Sequence, residues 1–169
     1  LMREGIERDR IFVTGNPINE VLEYFAPKID ASSALESQGV AQFDYLLVTL
    51  HRAENVDDHV RLASIMDGLS QTAERYGKPC LVSVHPRTAS KLAEFGIAPS
   101  SDKVRLLEAM GFFDFVKLEK NALAVLTDSG TVQEECCIFK IPNVTLRDVT
   151  ERAETIECGS NILSGAAPQ

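Results

Sequence analysis

No stretch of this chain is apolar for long enough to span a bilayer. The opening residues, Leu1-Met2-Arg3-Glu4-Gly5, show neither an initiator methionine nor a secretion-signal profile. They read as a helix entered partway, so the chain is expected to be a fragment of a longer protein. Basic residues are in deficit: 17 Lys and Arg stand against 25 Asp and Glu, a formal net charge of -8. That balance argues against nucleic-acid binding, because a phosphate backbone demands a basic face. A small anionic ligand stays open, since it needs only a local nest of donors. Neither a Walker-type glycine loop nor a G-x-G-x-x-G turn is present, so ATP hydrolysis and NAD binding lack support. No Ser-His-acid set can be assigned from linear order. The four cysteines (Cys80, Cys136, Cys137, Cys158) lack metal-ligand spacing. All four are expected to be reduced and mostly buried, which suits a cytoplasmic protein, and no metal is expected.

What is present is globular: 44% hydrophobic and 25% charged residues in 169, enough for one α/β domain with a core. Short apolar runs alternate with helical patterns. Ile11-Phe12-Val13 leads into the turn Thr14-Gly15-Asn16-Pro17 and a helical stretch from Ile18 to Phe25. Tyr45 to Leu50 is nearly continuous in apolar residues, the mark of a strand covered on both faces. Leu62, Ile65, Met66, Leu69 and Ala73 make one helical stripe between Val60 and Arg75. Further strands are predicted at Cys80–Val84, Val104–Leu107, Ala122–Thr127 and Asn143–Leu146. Helical stretches are predicted at Thr88–Phe95, Phe112–Lys117 and from Gly130 to Ile138. Alternation of this kind implies right-handed crossovers and a Rossmann-like parallel sheet flanked by helices.

In such sheets ligands bind outside the carboxyl ends of the strands. Three strand ends are polar in an informative way: His51-Arg52-Ala53-Glu54-Asn55, His85-Pro86-Arg87-Thr88, and Asp128-Ser129-Gly130-Thr131 running on to Glu135. A Ser-Gly-Thr turn entering a helix offers free backbone N–H groups, two hydroxyls and the positive end of the dipole to a phosphate. Gly130 would let that phosphate approach the backbone. Glu135, about one and a half turns in, is placed to accept from a ribose diol. The plainer alternative is that Asp128 or Ser129 merely caps the helix. His51 is either a hydrogen-bonded structural residue or a contact to a diphosphate that helps a leaving group depart. Arg52 either supports the same charge or sits in solvent. His85, Pro86 and Arg87 read as structural. Arg147 and Arg152, in the charged segment after the last strand, are suited to anchoring an anion or sugar hydroxyls if that segment faces a cleft, and otherwise form a solvated turn.

At these residues the chain resembles the non-hydrolysing UDP-N-acetylglucosamine 2-epimerase family. The matching stretches are Val13-Thr14-Gly15-Asn16-Pro17, Leu47 to Asn55, Leu126 to Glu135, and Leu146 to Glu154, in the family's order. The resemblance implies the second, UDP-binding domain of a two-domain enzyme of glycosyltransferase-B type, with residues 1–169 as that single domain. On this pattern the proton-transferring carboxylates belong to an N-terminal domain outside the chain, and further helices are expected after Gly165. It implies that His51 contacts the diphosphate and is needed for catalysis, that Ser129, Gly130 and Thr131 hold phosphate oxygens, and that Glu135 binds the ribose. Phe115 falls where the family places an aromatic against uracil, unless it is simply a core residue. Arg147, Glu151 and Arg152 would lie near the sugar. The implied reaction is inversion at C2 through elimination and re-addition of UDP, without cofactor or metal, in a homodimer. Where many members carry a second glycine after the serine this chain has Thr131, as do members acting on modified amino sugars, so the sugar is left open. A glycosyltransferase, a hydrolysing epimerase and a non-catalytic nucleotide-binding module remain as alternatives.

Overall fold

The computed structural model describes residues 1–165. Its centre is β1 (Leu46–Leu50), whose side chains alternate between two cores because successive residues of a strand face opposite sides. Leu46, Val48 and Leu50 enter one core together with Leu62, Ile65, Met66 and Leu69. Leu47 enters the other, with Tyr45, Leu81, Leu118 and Val125. Double-sided burial explains why this run reads as almost unbroken hydrophobicity.

Around it stand β2 (Cys80–Val84), β3 (Val104–Glu108), β4 (Ala124–Thr127), β5 (Asn143–Thr145) and β6 (Asn161–Leu163). All pairings are parallel, in the order β3-β2-β1-β4-β5-β6. The short β6 was not anticipated; it carries only three residues, Asn161-Ile162-Leu163, too few to show a pattern. From β1 the chain crosses to β2 on one side and from β4 to β5 on the other, so it leaves the adjacent strands β1 and β4 in opposite directions. The crevice between their carboxyl ends is the topological switch point.

The helices are α1 (Ile18–Asp30), α2 (Ala34–Gln38), α3 (Ala53–Val56), α4 (His59–Tyr76), α5 (Pro86–Phe95), α6 (Phe112–Lys120), α7 (Gly130–Phe139) and α8 (Ala153–Glu157). α4 carries the anticipated stripe, starts on an Asp58 cap to the Arg61 N–H (2.8 Å) and stops at left-handed Gly77. α1 runs past its anticipated end and through Pro27, because Leu22 and Ile29 pack with Val116 of α6 in a third small core.

One expectation for the amino-terminal stretch fails. Leu1-Met2-Arg3-Glu4-Gly5 is not a helix entered partway but a 3-10 turn over Met2–Glu4, ended by left-handed Gly5. Ile11-Phe12-Val13 joins no strand: Phe12 and Val13 are 81% and 96% exposed. The next motif does have a task. Asn16 accepts from the Ile18 N–H at 3.1 Å and its amide donates to Glu134, tying the entry of α1 to α7.

Candidate functional site

Asp128 follows β4 and is fully buried. A buried carboxylate must find donors, and this one finds them across the switch point. It accepts from the backbone N–H of His51 (3.1 Å) and Arg52 (2.9 Å) and from Asn55 Nδ2 (3.0 Å). His51 Nδ1 stands 3.2 Å from its Oδ1. Asn55, itself buried, also donates to the Leu146 carbonyl and accepts from Arg61 Nε at 2.7 Å. The loops after β1, β4 and β5 are thus bound into one unit. With Nδ1 turned to Asp128, His51 keeps Nε2 for the crevice.

Because the Asp128 carboxylate reaches toward β1, it does not cap α7. Ser129, in the cap position, makes no side-chain cap bond either, while its N–H donates to Thr127 Oγ1 at 3.0 Å. The first turn of α7 therefore presents backbone donors and the Ser129 hydroxyl without a side-chain acceptor among the described residues. The simple-cap alternative does not describe this turn.

A cavity of about 220 Å³ opens here. Its polar lining is Thr49, His51, Ser83, His85 and Ser129; its apolar lining is Ala109, Met110, Phe115 and Val132. Such a two-sided lining suits a ligand with a flat apolar end and a charged end. His85 accepts from the Arg87 N–H through Nδ1 (3.2 Å), so a neutral ring carries its proton on Nε2. Its ring centroid lies 6.4 Å from that of His51. A larger hollow of about 540 Å³ lies against α4 over Leu46, Leu126 and Val144 and shares no lining residue with the smaller cavity.

Glu135 sits in the second turn of α7, 5% exposed, and Glu119 of α6 is fully buried behind it. Burial pushes the Glu135 carboxyl up to about 7, reinforced by the charge of Glu134 and opposed by a hydrogen bond with Glu119. Glu119 is raised well above the usual carboxylate range, by burial first and by the charge of Glu135 second. Its Oε1 accepts from Cys136 Sγ at 3.3 Å and its Oε2 has no other partner among the described residues. Burial thus favours the protonated form of both carboxyls.

Arg147, 4% exposed, is engaged on two sides, by Glu54 (2.7 Å) and by both oxygens of Glu151 (2.9 and 3.2 Å). The hydrogen bonds from Arg147 hold Glu151 down at about 2. Arg147 clamps α3 to the loop before α8, and its guanidinium is already occupied by carboxylates. Arg152 reaches over α7: its guanidinium lies 3.5 Å from where a Cβ on Gly130 would stand, and its Nε is 2.9 Å from Glu134 Oε1, off the line of a hydrogen bond. Arg52 Nε is buried and unpartnered among the described residues.

Of the residues selected from sequence, His51, Phe115 and Ser129 share the small cavity. Gly130 and Glu135 lie along α7 beside it, whereas Thr131 is exposed on that helix's first turn. Sequence reasoning underrated His85, which lines the cavity as well as starting α5. Its position after a buried strand, matching that of His51, was the available signal. The anchoring roles of Asp128 and Asn55 were not anticipated, because the contact joins residues 73 apart in the chain. The cysteines are less buried than expected: Cys137 is intermediate and Cys158 exposed. Among the described residues no group of three or more His, Cys, Asp or Glu is arranged to hold a metal ion, and no helix is long and apolar enough to cross a membrane.

A family model described as UDP-N-acetylglucosamine 2-epimerase matches residues 1–169. The UDP-N-acetylglucosamine 2-epimerase of Methanocaldococcus jannaschii is 47% identical over 171 residues, covering 98% of this chain and 47% of that protein. A crystal structure of that enzyme in complex with UDP-GlcNAc and UDP superposes with a TM-score of 0.89 at 45% identity, covering 99% of this chain and 47% of the other. The UDP-2,3-diacetamido-2,3-dideoxy-D-glucuronate 2-epimerase of Pseudomonas aeruginosa is 37% identical, covering 99% and 46%. The chain spans about half the length of the curated relatives it matches.

Proposed function

Because the chain belongs to the UDP-N-acetylglucosamine 2-epimerase family, we propose that it forms the nucleotide-holding domain of an enzyme that inverts C2 of a UDP-activated amino sugar. The observation that carries this reading is the uncapped start of α7, opening into the same cavity as His51 and Phe115. The diphosphate lies against the N–H groups of Gly130 and Thr131 and the Ser129 hydroxyl, where helix-end donors and dipole favour negative charge. His51 donates to it through Nε2, with Nδ1 facing the Asp128 carboxylate. Uracil rests against Phe115, and the ribose hydroxyls meet Glu135.

In the reaction a base removes the C2 proton while the C1–O bond breaks, leaving a glycal and UDP. The proton is returned on the opposite face of C2 and UDP adds back at C1. Negative charge grows on the diphosphate as it departs, and preorganised donors at Ser129, Gly130 and His51 stabilise that growth. Proton transfer at C2 is assigned to carboxylates of the remainder of the enzyme, so this chain alone binds UDP without epimerising its sugar. Arg152, over Gly130, is the cation of the β5–α8 segment best placed near the sugar-diphosphate. Arg147 and Glu151 act there by holding the loop. A substrate other than the simple N-acetylglucosamine derivative is favoured as a second reading by Thr131 and by the similarity to the diacetamido-glucuronate enzyme.

Titration calorimetry of UDP into the chain tests the site. Binding that falls at least tenfold in Glu135→Ala and in His51→Ala, with each variant still folded, is the expected result. Absence of UDP binding by the folded wild-type chain would overturn the assignment. In the complete enzyme His51→Ala should abolish turnover. The product then separates the alternatives: an epimeric UDP-sugar supports this reading, whereas free sugar plus UDP, or a glycoside, identifies a hydrolysing epimerase or a transferase.

A further inference from the structure

Cys137 and Cys158 are far apart in sequence and close in space, their sulfurs 3.6 Å apart. Cys137 lies near the carboxyl end of α7, and Cys158 caps the carboxyl end of α8. The other two cysteines, Cys80 and Cys136, are buried and lie in the sheet and in the core. To reach the bonded separation of about 2.05 Å the two sulfurs must close by roughly 1.5 Å. Cys158 is exposed and Cys137 half-buried, so an oxidant meets Cys158 first.

We propose that Cys137 and Cys158 form a redox-modification site, closing to a disulfide on exchange with a low-molecular-weight disulfide. The Cys158 thiolate attacks one sulfur of the reagent, breaking its S–S bond and releasing one thiolate, to give a mixed disulfide on Cys158. The Cys137 thiolate then attacks the Cys158 sulfur and expels the second reagent thiolate. Two protein thiols are oxidised, one reagent disulfide is reduced to two thiols, and the two protons lost by the cysteines end on those products. Burial, then the Cys158 thiol beside it, holds the Cys137 thiol above its ordinary value. The second step therefore depends on contact between the sulfurs rather than on an unusually acidic thiol.

The bond would close a loop between elements that other contacts already join. Gln133 of α7 accepts from Thr150 Oγ1 (2.6 Å) and from Asn161 Nδ2 (3.2 Å), and Arg152 pairs with Glu134. All these partners belong to the β5–α8–β6 segment. A covalent link at the far end of α7 would join the same two elements. It restricts the unfolded chain more than the folded one.

The test uses oxidised glutathione on the intact chain, followed by alkylation, intact-mass measurement and peptide mapping. The expected product has lost two hydrogens, keeps no glutathione, and joins the peptides carrying Cys137 and Cys158, with Cys80 and Cys136 still reduced. Its melting temperature rises by roughly 5–10 °C and returns on reduction. Cys158→Ser, a change at an exposed position, should fold normally and lose both the cross-link and the rise. A stable glutathione adduct on the wild-type chain, four thiols still free after treatment, or a cross-link without the rise would each overturn the proposal.

Discussion

Asp128 shows how one buried carboxylate can tie together loops far apart in the chain. Its carboxylate satisfies two backbone N–H groups and the Asn55 amide while standing against His51 Nδ1. Asp128→Asn keeps the shape but turns one acceptor into a donor aimed at donors. Unfolding in urea should show a loss on the order of 3 kcal/mol, and UDP affinity should fall with it. An unchanged midpoint would mean that the three loops are held by something else. Glu119 and Glu135 make the opposite electrostatic statement. Their folded-state values are raised, so above about 4.5 the native chain retains protons that the unfolded chain has released. Stability contributed by these groups is therefore fully present below that pH and is lost as pH climbs through about 7, where Glu135 ionises in the folded chain. Glu119→Gln removes one of the two charges and offers an N–H to Glu135. Denaturation midpoints measured between pH 5 and 9 should fall less steeply in this variant than in the wild type.

Among the elements, α7 carries most of the consequence. Its amino end meets the cavity, its second turn holds Glu135, its flank binds Gln133 to β6, and its last turn carries Cys137. Gly130 is the informative position. A Cβ there would stand 3.5 Å from the Arg152 guanidinium, an ordinary contact, and the residue does not have a positive φ. Gly130→Ala should therefore fold with a melting temperature within about 3 °C of the wild type. UDP affinity should nonetheless fall several-fold, because the methyl group occupies the approach of a phosphate to the backbone. Equal affinity in the variant would show that the phosphate does not approach at this point. α8 and the loop before it illustrate a different economy: five helical residues are held by the Arg147 clamp, the Arg152 pair and the Gln133 contacts rather than by a broad apolar face.

At the scale of the molecule, a chain of net charge -8 is proposed to take an anion. The fields act at different ranges. Local donors at the start of α7 work at contact, while the excess acidic charge repels an approaching nucleotide over about a Debye length. Raising ionic strength from about 0.01 to 0.15 M should speed UDP association, because screening acts mainly on the long-range repulsion. Stopped-flow measurement would give the sign; a steep fall with salt would show that the cations around His51 and Arg52 govern the approach instead.

Periodicity alone identified the parallel α/β architecture, the five main strands and the strand ends worth inspecting. It succeeded because double-sided burial leaves continuous apolar runs such as Tyr45 to Leu50, and a covered helix leaves a stripe such as Leu62 to Ala73. The sequence also determined the family resemblance, carried by residues whose types suit phosphate and ribose. It did not determine that Phe12 and Val13 stand in solvent, since a short apolar run looks the same whether or not a sheet edge receives it. Nor did it distinguish Arg147, engaged by two carboxylates, from Arg152, which overhangs Gly130. Those outcomes depend on which distant residues the crossovers bring together. The turn from Asp128 to Glu135 was legible as a helix start, with phosphate binding or a plain cap left as alternatives. Only the tertiary structure decided that Asp128 turns away to hold His51 and leaves the helix end open, because the donors that claim its carboxylate come from the neighbouring strand's loop.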